Sequence, residues 1–206
     1  VKVAPQCQGK WTGKTGRMTH INPLRAKASY NVMLEVPTLS GQRVNLFDPN
    51  PSTIRIEDIS AGLSNCCRFV GQLANFYSVA QHSVVVSRIV HPRLALHGLL
   101  HDAAEAYMHH LGPAVKNLVG SLYRPIEDQL QDAIYRAYGL PPLSAEDMAH
   151  LKCADRQANA AEMRHFGIAP AEPLSEGLDH MLDEPIIPLD PRPARTCFTR
   201  RFDELY

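Results

Sequence analysis

The sequence predicts an all-α helical bundle with a short N-terminal hairpin and irregular tails. Three observations predict it. From Glu57 onward, apolar residues recur at steps of three and four. Helix stops punctuate that region, with Gly139 then Pro141 closing one segment and Gly167 another. Hairpin signals are confined to one stretch upstream, "TLSGQRVNLFDPNPSTIRI", where a Ser-Gly turn separates short apolar runs and Asp-Pro-Asn-Pro reads as a loop.

Residues 1–34 hold Gly, Lys, Thr and Gln with little apolar periodicity and read as a poorly ordered leader, in which Trp11 and Tyr30 could dock on the body. Residues 35–168 form the bundle. Its first helix, in "IEDISAGLSNCCRF", aligns Ile56, Ile59, Leu63 and Cys66 on one face. "YSVAQHSVVVSRIV" is apolar on most sides, which predicts a central helix. Pro92 marks the start of a third, spanning roughly 93–109. "SLYRPIEDQLQDAIYRAYGLPP" gives another. Ser144 and Asp147 form a capping-box-like start for "SAEDMAHLKCADRQANAAEMRHFG". Residues 169–206, with Pro170, Pro173, Pro185, Pro188, Pro191 and Pro193, read as an extended tail packed on the surface. No internal repeat is present.

The 206 residues carry 21 basic and 21 acidic side chains. This balance argues against a protein that coats nucleic acid or binds a membrane surface. Cys7, Cys66, Cys67, Cys153 and Cys197 are odd in number and include no CxxC pair, which disfavours a zinc ribbon and fits a reduced compartment. No run of 18 apolar residues occurs, and the N-terminus lacks a signal-peptide core. The expectation is a soluble protein of the cytoplasm, in a bacterium or a phage-infected host.

Chemistry concentrates in "ALHGLLHDAAEAYMHHL", residues 95–111, where His97, His101, Asp102 and Glu105 interrupt an apolar helix. On a helix, His101 and Asp102 diverge by about 100° and can both approach one ion beside it. Glu105 shares the face of His101. His82 lies in apolar "SVAQHSVVV", and Asp155 lies among small residues in "LKCADRQANAA". Each has a plainer explanation alone: His82 as a hydrogen-bonded core histidine, Asp155 as an acid paired with Arg156 or Lys152. Together, two His and two Asp from three helices make an N/O donor set suited to a borderline divalent transition ion. A non-catalytic nucleotide sensor, or a structural bundle whose polar groups satisfy one another, would use the same residues.

"CRF", then His82 fourteen residues after Arg68 in "FYSVAQHS", then "HGLLHDAAEAY" and "LKCADRQANAAE", in that order, resemble the HD-domain phosphohydrolases. The nearest likeness is to the nucleotide-hydrolase branch, which includes phage dATP triphosphohydrolases and bacterial 5′-deoxynucleotidases. "DPNPSTIRIEDI" is similar to phage-type members, and the likeness covers about residues 37–166. It implies an HD-domain bundle with His82, His101, Asp102 and Asp155 as metal ligands and Glu105 as the acid that orients or deprotonates water. Arg68, Lys116 and Lys152 would contact phosphate, and Phe69 and Gln72 would line the sugar or base. Phe76 and Tyr77 read as core. His109-His110 replaces the Gly-Asp common in relatives, so His110 is a candidate for proton transfer.

The implied cofactor is Zn, Co or Mn, with Mg a further option alongside a triphosphate. The implied partner is a deoxynucleotide, purine favoured, bound by a homo-oligomer. The implied reaction is hydrolysis of dATP or another dNTP to deoxynucleoside and triphosphate. Release of phosphate from deoxynucleoside monophosphates is the alternative.

Overall fold

The computed structural model describes residues 34–169 and 185–206. The leader reading, including Trp11 and Tyr30, and the Pro170 and Pro173 portion of the tail lie outside the described residues. The described residues are mostly helical with one small hairpin, as the periodicity predicts.

Strands β1 (Glu35–Pro37) and β2 (Arg43–Asn45) pair antiparallel with Val36 opposite Val44. Gly41 supplies the positive φ of the turn, at 82°. Asp58 ties the turn to the bundle by accepting from the Ser40 amide and hydroxyl, both at 2.7 Å. Asp58 sits in the first turn of α1 (Ile56–Asn65), where a carboxylate also favours the helix dipole.

Helix α2 (Val79–Ile89) begins at Ser78, whose hydroxyl accepts from the Gln81 amide. It is the central helix, packed on α1, on α3 (Ala95–Leu100), on α6 (Ala145–His165) and on α7 (Pro191–Leu205). Val79, Ala80, Val84 and Leu99 share one apolar cluster, and Val86, Leu94, Leu151 and Ala158 form a second. Helix α6 starts where its sequence signal lies: Ser144 accepts from the Asp147 amide at 3.0 Å. Gly62 marks a close crossing, since a Cβ there would lie 2.5 Å from the Ala106 carbonyl oxygen.

Two expectations are corrected. The helix expected over 93–109 is broken. Pro92–Leu94 is a 3₁₀ turn, α3 ends at Leu100, and α4 spans Glu105–Met108. Between them the backbone tightens to i→i+3 hydrogen bonds, from Ala103 to Leu100 and from Glu105 to Asp102. Gln131 of α5 (Pro113–Ala137) stabilises the break. Its amide donates to the Leu100 carbonyl at 2.7 Å and its oxygen accepts from the Ala104 amide at 3.1 Å, so the backbone groups at the break keep partners.

The second correction concerns the tail. Residues 185–190 are irregular and strapped to α2 by Gln81, which bonds the Ile187 carbonyl and the Leu189 amide. Residues 191–205 are helix. Pro191 occupies the tolerated first helical turn, and Ala194, Phe198 and Phe202, four apart, are buried in the bundle. No helix among the described residues is long and apolar enough to cross a membrane.

Candidate metal centre and adjoining cleft

The broken helix places His101 at its kink and Asp102 immediately after it, facing α2 and α6. His82, fully buried in the middle of α2, points Nε2 toward both. That atom is 3.0 Å from Asp155 Oδ1 and 3.9 Å from Asp102 Oδ2. His101 Nε2 is 3.2 Å from Asp102 Oδ2 and 3.8 Å from Asp155 Oδ1. Donors at about 2.0–2.2 Å from one ion lie roughly 3.0–4.2 Å from each other, so these separations are those of a shared coordination sphere.

The donor chemistry agrees with the spacing. His101 Nδ1 donates to the Gly98 carbonyl at 2.9 Å, which leaves Nε2 as the free ring nitrogen. That Nε2 is buried and lacks an aligned hydrogen-bond partner. A buried orphan nitrogen beside two carboxylates is what a cation site provides, so the residues fit a divalent ion. Donor atoms of His82, His101 and Asp102 fall within 4.8 Å of one another; Asp155, on α6 with a more exposed side chain, stands outside that group but approaches both imidazoles.

The carboxylates favour positive charge on the two imidazoles. Burial pulls the His101 imidazole down, but Asp102 outweighs it and pushes the pKa up to about 9. Asp102 is held far below the carboxylate range despite burial, chiefly by His101 and then by His82 and Arg68. His82 is likewise raised: burial and Arg68 oppose its charge, while Glu162 and Asp155 favour it.

Behind His82 lies a network centred on Glu162 of α6, a fully buried carboxylate. Its Oε1 accepts from His82 Nδ1 at 2.7 Å and from the Tyr77 hydroxyl at 2.9 Å. Its Oε2 accepts from Arg68 Nη2 at 2.7 Å, and Arg68 Nη2 also reaches Asn159 Oδ1 at 2.9 Å. Glu162 and Asn159 escaped the sequence reading, although Asp155, Asn159 and Glu162 recur at the four- and seven-residue spacing of one helix face. Tyr77 is core, as expected, with a hydroxyl that the network uses.

On the other side of Asp102, a cleft of about 530 Å³ opens between the kink, the start of α5 and α6. Arg68, Phe69, Glu105, His110 and Lys116 line it with Asp102 and Asp155. Glu105 is buried and accepts from His110 Nδ1 at 2.8 Å and from Lys116 Nζ at 3.1 Å. Lys116 also bonds Glu127 at 2.8 Å; burial opposes its charge, but the two carboxylates raise its pKa. Phe69 and Val70 hold φ of 52° and 55° at the cleft lip, a strained geometry for non-glycine residues.

Two sequence candidates lie elsewhere. Lys152 is exposed and borders a separate cavity of about 420 Å³ with His101, Tyr135, Met148 and Asp155. Gln72 is exposed and lines neither cavity. His97 is a satisfied core histidine, with Nε2 3.0 Å from the Pro141 carbonyl and its ring edge-on to Tyr135.

No family model matches the chain. It is 37% identical over 172 residues to the uncharacterized protein YfdR of Escherichia coli (strain K12), covering 82% of this chain and 94% of that one. It is 35% identical over 178 residues to the uncharacterized protein RCAP_rcc00048 of Rhodobacter capsulatus, covering 79% of this chain and 91% of that one. With more than a third of residues shared over nearly the whole length of both relatives, the chain belongs to one family with YfdR and RCAP_rcc00048.

Proposed function

We propose that the protein is a metal-dependent phosphohydrolase of deoxynucleotides, with a deoxynucleoside triphosphate, dATP first, as substrate. The observation that carries this reading is the convergence of His82, His101 and Asp102 at coordination spacing, with Asp155 3.0 Å from His82, beside a cleft whose walls hold Asp102, Asp155, Glu105 and Lys116. The likeness of these blocks to HD-domain phosphohydrolases supports it.

When bound, a divalent ion there supplies Lewis acidity toward phosphate and water. The chain's own groups do the rest. Glu105, fixed by two hydrogen bonds, orients the attacking water and takes its proton. His110, whose Nδ1 donates to Glu105 Oε2, holds that carboxylate in place for the water. The water oxygen bonds to the α-phosphorus, the ester bond to the 5′-oxygen breaks, and that oxygen leaves with a proton. Lys116 and Arg68 offset charge developing on the non-bridging oxygens. Phe69 offers an aromatic face at the lip.

Arg124 and Arg156 extend the cationic lining beyond Arg68 and Lys116, which favours a polyphosphate. One observation favours a 5′-deoxynucleotidase as a second reading. Arg68 and Lys116 already bond acids of the protein, which suits the lower charge of a monophosphate. Incubating the protein with each dNTP and dNMP and with Mn²⁺, Co²⁺, Zn²⁺ or Mg²⁺, then resolving products by chromatography, separates the two. Triphosphate is the expected product, and phosphate alone selects the second reading. Absence of turnover for every nucleotide with every metal overturns both.

A further inference from the structure

We infer that Glu162 is a positioning residue for the metal centre: by accepting the Nδ1 proton of His82 it presents the Nε2 lone pair to the cation. This rests on His82 being a ligand, and it assigns a function to a residue outside the cleft.

An imidazole has two nitrogens, and only the one without a proton can ligate. His82 is fully buried, so solvent cannot set its tautomer. The partner of Nδ1 does so instead, and that partner is a carboxylate oxygen at 2.7 Å. Ionised Glu162 can only accept there, so Nδ1 carries the proton and Nε2 faces Asp102 and Asp155. The same bond fixes the ring plane and raises the basicity of Nε2 as a ligand.

A fully buried carboxylate needs compensation to remain ionised. Arg68 supplies it through two hydrogen bonds to Oε2, and Tyr77 adds one to Oε1. Arg68 is itself held by Asn159, one turn before Glu162 on α6. Glu162 and Tyr77 lie outside the cleft and bond each other beside His82, while Arg68 reaches from the cleft lining to Glu162 and holds its charge there. Helix α6 then serves the centre twice, with Asp155 as donor and Glu162 two turns later as the group that aims His82.

The test is Co²⁺ titration of the purified full chain, read by the visible absorption of the bound ion. The wild type, Glu162→Gln and Glu162→Ala are compared, with folding of each checked by circular dichroism. Glu162→Ala should bind Co²⁺ some 10–100-fold more weakly, and Glu162→Gln, which can still accept from Nδ1, should recover part of the loss. A folded Glu162→Ala protein with wild-type affinity and spectrum overturns the inference.

Where Glu162→Ala does not fold, the wild type decides. Long-range ¹H–¹⁵N spectra of the Zn²⁺-loaded protein should show His82 protonated at Nδ1, and protonation at Nε2 overturns the inference. A wild type that binds neither Co²⁺ nor Zn²⁺ overturns the metal reading itself, and the inference with it. Loss confined to the Glu162 variants leaves that reading intact.

Discussion

Glu105 and Lys116 are held 3.1 Å apart in the cleft lining, joining the short helix after the kink to the first turn of α5. The pair brings a proton acceptor and a cation to one wall, beside Asp102. Under the proposed chemistry the two have separable tasks. Glu105→Gln should keep the metal content of the wild type while kcat falls by about 10²–10⁴-fold. Metal analysis of the same sample used for kinetics checks it. A Glu105→Gln enzyme turning over at the wild-type rate removes Glu105 from the mechanism.

Asp102 should behave differently, because it faces both imidazoles of the centre. Asp102→Ala is expected to lose bound metal and activity together. Chelation of the wild type should do the same, with activity restored by the added ion. Metal should also raise thermal stability, since it binds only the folded arrangement. At a hundredfold excess over Kd the gain is about 2.7 kcal/mol, absent in Asp102→Ala. Calorimetry with and without metal measures both.

Much of this centre was legible in the sequence because its residues violate their surroundings. His82 interrupts a valine-rich helix and Asp155 a run of small residues, so each announces an interior polar role. Glu162 did not announce itself. It lies in "NAAEMRH", where an acid looks like part of a solvated face, and its partners Tyr77 and Arg68 are 85 and 94 positions away. The kink at His101 was hidden for a similar reason: Gln131, which satisfies its backbone, comes from another helix. The final helix was masked by composition. Its prolines suggested an extended tail, while the four-residue spacing of Ala194, Phe198 and Phe202 carried the decisive signal.

Gly62 sets how closely α1 approaches α4. A Cβ there would lie 2.5 Å from the Ala106 carbonyl oxygen and 2.7 Å from its Cα, and backbone cannot rotate away as a side chain can. Gly62→Ala should therefore displace α4, destabilising the protein by about 1–3 kcal/mol. Because Ala106 follows Glu105, activity should fall in the fraction that remains folded. Urea unfolding and kcat on the same preparation test this, and an unchanged unfolding midpoint contradicts the crossing described.

Cys66 gives a pH dependence. Burial pushes its thiol up to about 11, aided by Glu105 and opposed by the His110 amide. The unfolded chain loses this proton near the ordinary thiol value, and the native protein retains it. Between about pH 9 and pH 11 the unfolded state then binds fewer protons, so stability falls as pH rises. The loss should be of order 1–2 kcal/mol. Urea midpoints at pH 8 and pH 10.5 should drop more in the wild type than in Cys66→Ala, and parallel drops would contradict the buried thiol.

The C-terminal helix is part of the bundle, and its removal should unfold what it covers. Phe198 is fully buried and Phe202 nearly so, in the same cluster as Ile59, Leu63 and Leu99. Arg201 adds polar ties, donating to the Ser87 hydroxyl and carbonyl on α2, both at 3.1 Å. Phe198→Ala should cost about 3–5 kcal/mol by lost burial plus the cavity left behind. Since α2 carries His82, weakened packing of α7 should also loosen the proposed metal centre. Phe198→Ala is thus expected to lower both the melting temperature and Co²⁺ affinity, whereas Phe198→Leu, which refills most of the space, should restore much of each. A tail that merely lay on the surface would tolerate either substitution with a change within about 0.5 kcal/mol.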